Sequence, residues 1–501
     1  MQKRDQMRRT LPARSTIPAL APALAALLLS ACTVGPNYKR PTAPAPPAFK
    51  EQPPPDFKEA GGWKPAQPGD GLLKGKWWEI YNDPALNALE EQVSLSNQNL
   101  AQAEAVYREA RAAVLIGRAA LSPTLSSAPS VTESRAGGSS GPTSTSGLRS
   151  TFELPLSAAW APDLWGNIRR GVTAASANAQ ASAANLENAR LLYQSELAQD
   201  YFQLHGQDGQ ADLLQRTLQS YEEYLTLTKN RRAGGIASDL DVAQAEAQLY
   251  ATRASLQDLA IQRAQLEHAI AVLIGKPPAG LSIPGMTLKT PPPPVPIAVP
   301  SVLLERRPDI AAGERQMAAA NEQIGIAQAA YYPNLSLSAA LGLENNRITT
   351  WISWPARFFS VGATMAETVF DAGRRRAAVS QSQAAFDATI AAYRQTVLAA
   401  FQQVEDNLAA LRVLAEESVT AEQSVASAER ALTVSTAQYK SGTTSYLTVI
   451  QAQATALAAE RTAIELLTRR LTASVLLVQA LGGGWDSSQL PTQKDVAARG
   501  N

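Results

Sequence analysis

Few residues in this chain are equipped for chemistry, and they are scattered. Its 501 residues hold one cysteine, Cys32, and two histidines, His205 and His268, none of them at metal-ligand spacing from a partner. Gly482-Gly483-Gly484 closes a helical pattern and is no phosphate cradle. No Ser/His/Asp set stands among polar loops, so neither catalysis nor a metal nor a cofactor is expected. Covalent chemistry is in view at one place, Cys32. Lys3, Arg4, Arg8, Arg9 and Arg14 precede an apolar run from Ala19 to Leu29. Leu29-Ser30-Ala31-Cys32 then has the form of a bacterial lipobox, whose cysteine is acylated and becomes the first residue. The plainer alternative is an ordinary signal peptide with an incidental cysteine. That the sole cysteine falls here favours a lipoprotein, and Thr33 in place of Asp after it favours the outer membrane. One acylated terminus attaches a chain to a bilayer without spanning it.

Charge sets further bounds. Lys and Arg total 45 against 44 Asp and Glu; without residues 1–31 the balance is 40 against 43, so a nucleic-acid partner, which would call for a basic excess, is not expected. Past the N-terminus no apolar run reaches the ~18 residues of a membrane helix. Two stretches alternate instead. In Pro333–Glu344, Leu335, Leu337, Ala339, Leu341 and Leu343 share one strand face; in Phe359–Ala366, Phe359, Val361, Ala363 and Met365 do. Trp351, Trp354, Phe358 and Phe359 lie between or beside them, as an aromatic belt at a bilayer surface would. A hairpin of a soluble sandwich would show the same alternation. Earlier in the chain, Phe152, Leu154, Leu156, Ala158 and Trp160 alternate too, with Pro155 predicting a bulge or break; Leu125–Val131 is the weaker flank.

The remaining chain must carry these strands. Residues 33–70 are rich in proline and read as a tether. Helical patterns follow over Ala85–Ala120, Arg169–Arg231, Ser238–Ile274, Asp309–Tyr331, Arg374–Lys440 and onward to Leu481. Leu197, Leu204, Ala211, Leu218 and Leu225 form a heptad column, as do Ile390, Val397, Val404 and Leu411, and Ile450, Leu457, Ile464, Leu471 and Val478. The Arg169–Arg231 pattern alone would run roughly 95 Å at 1.5 Å per residue. An internal repeat underlies this order: residues 119–126 match 329–336, Trp165–Arg170 match Phe370–Arg375, and Gly235–Ala245 match Gly442–Ala452. The expected division is a signal segment 1–31, a lipidated tether 32–82, a first repeat 83–276, a proline-rich connector 277–308, a second repeat 309–482 and a tail 483–501. Four strands cannot close a barrel, and open edges in lipid leave backbone groups unsatisfied. Other copies must complete the wall: two give eight strands, three give twelve, and the residues do not choose.

The lipobox with Val34-Gly35-Pro36-Asn37-Tyr38, the segment Leu304-Glu305-Arg306-Arg307-Pro308-Asp309-Ile310, Tyr332-Pro333, Phe370-Asp371-Ala372-Gly373-Arg374 and the stretch Gly442–Gln453 span nearly the whole mature chain. In them the chain resembles outer-membrane factors of the TolC type, in the lipoprotein branch often called the NodT family. The resemblance implies a mainly α fold with a membrane β part: a long-helix coiled-coil tunnel, with four strands per chain in a homotrimeric 12-stranded β-barrel. It implies a passive exit duct in a tripartite efflux pump, with a periplasmic adaptor, an inner-membrane transporter and outer-membrane lipid as partners and no enzymatic activity. A duct for type I protein secretion and a poreless periplasmic coiled-coil lipoprotein are the alternatives. The two tight turns would be adaptor-docking tips, marked by Gly235, Ser238, Gly442 and Ser445. The resemblance makes them the periplasmic gate: Tyr439 would bond Asp241, and Leu447 would form an apolar ring, unless it is a coiled-coil core residue. Many relatives carry an acid where Gln451 stands, and Thr444 and Thr448 replace charged residues, so fewer polar links are expected here. Arg169-Arg170 and Arg374-Arg375-Arg376 read as solvated helix-start charges rather than lipid-phosphate contacts, and Arg306 and Arg307 as structural pairs.

Overall fold

The computed structural model describes residues 33–43, 45–51, 75–135, 148–295 and 303–498. The signal segment, Cys32, Pro53-Pro54-Pro55 and Gly137–Gly141 lie outside the described residues. The chain divides into two units: one takes in the described parts of Met1–Tyr38, Ile116–Ala174 and Asn321–Ala384, the other the described parts of the rest.

The first unit is built on one antiparallel sheet. Its strands are β1 (Thr124–Ser126), β2 (Ser130–Arg135), β3 (Leu148–Trp160), β4 (Asn334–Asn345) and β5 (Arg357–Ala366). β1 and β2 both pair with β3, so they are two pieces of one interrupted edge, and the order is β1/β2, β3, β4, β5. The expected break at Pro155 is displaced. β3 runs through Pro155, and the interruption falls on its neighbour at residues 127–129, where the Ser127 hydroxyl donates to the Pro155 carbonyl at 2.7 Å. A proline offers no N–H to the ladder, so the partner on one side gives way. On the other side Gly342 faces Pro155, and a Cβ there would lie 2.3 Å from the Leu154 carbonyl oxygen.

Two long helices leave this sheet: α3 (Asn167–Ala233) after β3 and α6 (Arg374–Ser441) after β5. Gly166, at φ 81°, and Gly373, at φ 87°, stand immediately before them. Asp163 accepts from the Ile168 and Arg169 amides and the Arg169 side chain; Asp371 accepts from the Gly373 and Arg375 amides and the Arg375 side chain. The Arg375 side chain, ahead of the amides, holds the Asp371 carboxyl below its ordinary range, against the opposing pull of desolvation. Gly166 thus corresponds to Gly373. The expected match of Trp165–Arg170 to Phe370–Arg375, which sets Gly166 against Asp371, is therefore two residues out of step.

The second unit holds α1 (Pro84–Ser96), most of α2 (Gln98–Ala119), most of α3 and α6, α4 (Asp239–Leu273), the start of α5 (Pro308–Ala329) and α7 (Tyr446–Ala480). The heptad columns are buried in part: Leu197, Leu204, Val397, Val404, Leu411, Leu471 and Val478 are buried, and Ala211, Leu218, Leu225, Ile390, Ile450, Leu457 and Ile464 are half-buried. The pattern expected to be one helix over Ala85–Ala120 is broken at Asn97, and the break has a purpose. Asn97 caps α2 through the Asn99 and Leu100 amides and donates to the Leu273 carbonyl, while Ser96 donates to the Ile274 carbonyl at 2.7 Å. The start of α2 thereby caps the end of α4, satisfying carbonyls that a helix end leaves bare. The second repeat makes the same joint with a cation. Buried Arg307 pairs with Asp309 through two bonds of 3.0 and 2.6 Å and donates to Gln403 and to the Ala480 carbonyl at the end of α7. A positive charge there also opposes the helix dipole. Gly275 and Gly482, both at positive φ, let the chains approach: a Cβ would lie 2.2 and 2.1 Å from the Ser96 and Arg306 carbonyl oxygens.

The tether and connector lie on these helices. The Lys50 and Glu51 amides donate to Glu405, and Arg412 pairs with Glu51 at 2.9 Å. Arg263 donates to Asp208 and to the Ile283 carbonyl, and Glu267 accepts from the Ile283 amide. Burial alone would raise the Asp208 carboxyl, but bonds from His205, Arg263 and the Met286 amide hold it below its ordinary value.

Candidate functional site

The candidate residues fall in two places, the sheet and the paired turns. In the sheet, the register aligns Leu156 with Leu341 and Leu341 with Phe359, then Ala158, Ala339 and Val361, then Trp160, Leu337 and Ala363. Pleating sends residues in register to the same side. One face is therefore apolar across β3, β4 and β5, and the other carries Glu153, Ser157, Ser336, Ser338, Gly342, Ser360, Gly362 and Thr364. The apolar face is open: Phe359 is 84 % exposed and Val361 81 %. That removes the soluble sandwich, which would bury it.

The aromatic residues sort into two groups. Trp351 lies tilted against Phe152 at 5.8 Å, and exposed Trp354 carries the Arg357 guanidinium 4.2 Å from its ring centre. Phe359 lies on the apolar face; Phe358, expected with it, opposes Gly342 on the other. A second group, not foreseen, stands at the opposite strand ends. Trp165 stacks on Tyr332 at 4.8 Å and donates to the Pro333 carbonyl, and Trp160 donates to the Leu121 carbonyl. Its signal was the aromatic residues at each strand-to-helix passage. Aromatic rows at both ends of an apolar strand mark the two interfaces of a bilayer.

At the turns, α3 passes to α4 and α6 to α7. Gly235 (φ 74°) and Gly442 (φ 81°) take the left-handed conformation that ends each helix. Ser238 caps α4, and Asp241 closes a capping box by accepting from the Ser238 amide at 2.9 Å and its hydroxyl at 3.0 Å. Ser445 and Thr448 occupy the same positions in the second repeat. Without a carboxylate they form no such box; Thr448 instead accepts from the Thr444 hydroxyl at 3.1 Å. Arg231 joins the turns. Its guanidinium lies 4.6 Å from the ring centre of Tyr439 and donates to the Tyr439 carbonyl at 3.1 Å. Tyr439 and Tyr446, both buried, meet at 5.3 Å with Ala245 and Val449.

The expected bond between Tyr439 and Asp241 is not formed in this chain. Asp241 is engaged by Ser238, three residues away, and the buried Tyr439 hydroxyl has no hydrogen-bond partner. Leu447, 49 % exposed, is no core residue of the single chain, and Gln451 is exposed. Gln453 was missed. It is buried, with neither amide atom bonded, and its spacing from Val449 and Ala456 puts it in an apolar row. Arg374 and Arg376 are exposed, whereas Arg169 and Arg375 pair with the capping acids. Among the described residues no group of His, Cys, Asp or Glu could hold a metal ion, and no helix is long and apolar enough to cross a membrane.

A family model described as outer membrane efflux protein matches residues 89–276 and 299–483. The chain is 33 % identical over 422 residues to the pyoverdine export outer membrane protein OpmQ of Pseudomonas aeruginosa, covering 83 % of this chain and 88 % of that one. It is 31 % identical over 472 residues to the outer membrane protein OprJ of the same organism, covering 93 % and 96 %. Among solved structures, the outer-membrane channel OprN superimposes with a TM-score of 0.82 at 32 % identity, covering 91 % of this chain and 100 % of that one.

Proposed function

The chain belongs to the outer membrane efflux protein family, and from that premise we propose how it works as the outer-membrane channel of an efflux pump. The protein does no chemistry on its cargo; it is a passage. Three copies close the wall as a 12-stranded barrel, and the long helices of the three continue it as a tunnel. The observation that carries this reading is the register of the sheet. It gives one open apolar face and two edges, β1/β2 and β5, each paired on one side only within the described chain. In a bilayer each unpaired N–H and C=O on such an edge costs several kcal/mol, so the sheet is complete only when the β5 edge of one copy meets the β1/β2 edge of the next. The paired turns dock a periplasmic adaptor that an inner-membrane transporter drives, and Cys32 carries an acyl anchor in the outer membrane.

The relatives named above favour small-molecule efflux over protein secretion. Full-length protein in a planar bilayer should conduct in discrete steps, and native mass spectrometry in detergent should find three copies. A chain that stays monomeric and passes no current would overturn the proposal.

A further inference from the structure

The first unit contains a buried cation that neither the sheet nor the turns employ. Arg170, in the first turn of α3, is nearly enclosed and pairs with Glu322 at 2.7 Å. The remainder of its fork is turned on main chain: Nε donates to the Val34 carbonyl at 2.6 Å and Nη1 to the Pro36 carbonyl at 3.2 Å. Asn321 donates to the same Pro36 carbonyl at 3.2 Å, and the Val34 amide donates to the Trp165 carbonyl at 3.2 Å. Three glycines make the seat. A Cβ on Gly35 would lie 2.5 Å from the Cα of Gly325, one on Gly325 would lie 2.5 Å from the Arg170 side chain, and one on Gly166 would lie 2.6 Å from Thr33 Cγ2. Gly35 also holds a φ of 113°, closed to other residues. The repeat does not supply this arrangement: four residues beyond Gly166 stands Arg170, but four beyond Gly373 stands Ala377.

We propose that Arg170, Asn321 and Gly325 form a receptor for the chain's own N-terminal segment, and that seating Thr33–Pro36 there fixes where the acyl anchor enters the bilayer. Thr33 rests on Gly166, the residue between Trp165, which stacks on Tyr332, and the start of α3. Consecutive Cα atoms are about 3.8 Å apart, so a group carried on the preceding residue is delivered to that junction. A single guanidinium holding two carbonyls reads backbone shape rather than side chains, which suits a segment made of Val-Gly-Pro. The anchoring half of the proposal rests on acylation of Cys32; the receptor half does not.

The test compares full-length wild type with Gly35→Val, which spoils the seat but keeps the Arg170–Glu322 pair, and with the double variant Arg170→Met/Glu322→Gln, which removes the buried charges together. Hydrogen exchange of residues 33–38 is read beside incorporation of an alkyne fatty acid. Exchange should be at least ten-fold faster in both variants than in wild type, with fatty-acid labelling unchanged and blocked only by Cys32→Ser. Equal exchange in all three chains would overturn the receptor. A protected segment in an unlabelled wild type would leave the receptor standing and remove the anchoring half together with the lipoprotein reading.

Discussion

Arg231 holds Tyr439 from two sides, with its charge over the ring at 4.6 Å and a hydrogen bond to the carbonyl at 3.1 Å. The first helical turn is thereby fastened to the second through an aromatic face and a helix end rather than through the tyrosine hydroxyl.

Tyr439→Phe should therefore leave single-channel conductance unchanged and thermal stability equal or slightly raised, because it deletes a buried hydroxyl that has no partner. Arg231→Ala should lower stability by about 1–2 kcal/mol through loss of the cation–π contact and the cap, and should raise conductance. Larger currents from Tyr439→Phe would restore the hydroxyl as the fastening.

Thr448→Asp should stabilise the second turn. Ser445 stands at the N-cap of α7 with no side-chain cap bond, and no carboxylate completes the box that Asp241 provides for Ser238. The gain should be on the order of 1 kcal/mol, read as slowed exchange of the first amides of α7. Unchanged exchange would mean that the Thr444–Thr448 contact already does the work.

Asp200 on α3 is raised to about 6, first by burial and then by the charge of Glu196. A folded-state value above the unfolded one means the folded protein binds the extra proton, so stability falls as pH rises from about 4 to 6 and stays lower beyond. Asp200→Asn should accordingly raise the melting temperature at pH 7.5 and have little effect at pH 4. Equal shifts at both would refute the burial cost.

Arg307→Ala should cost about 3–5 kcal/mol, toward the lower end because Asp309 is partly exposed. Arg307→Lys should rescue little of it, since one ammonium cannot serve Asp309, Gln403 and the Ala480 carbonyl together. Thermal unfolding of the two variants decides this; full rescue by lysine would reduce the role to charge alone.

What could be read from the chain beforehand divides along physical lines. Long helices and strands announce themselves because periodic burial is written residue by residue: the Leu197 and Val397 columns and the Leu335–Leu343 alternation needed no tertiary knowledge. The Asn97 break was visible as a capping residue but competed with an unbroken apolar pattern. Pro155 marked trouble in the sheet, yet which strand would yield depended on Ser127 across the ladder. Tyr439 and Asp241 do not meet within one chain, where Ser238 satisfies the acid locally at no cost in loop closure. Gln453 was legible as a polar residue at helical spacing from Val449 and Ala456, whereas the Arg170 seat could not be seen, since it is defined by what surrounds it and not by what precedes or follows it.

The joints at Ser96–Asn97 and Arg307 carry one more implication. An unbroken helix transmits a twist along its whole length, whereas α4 and α7 end on side-chain donors that water could replace one at a time. Each is thus a shaft seated in a bearing. If the turns swivel to admit cargo, the slack is taken up at the two bearings, and no helical backbone bond has to rupture.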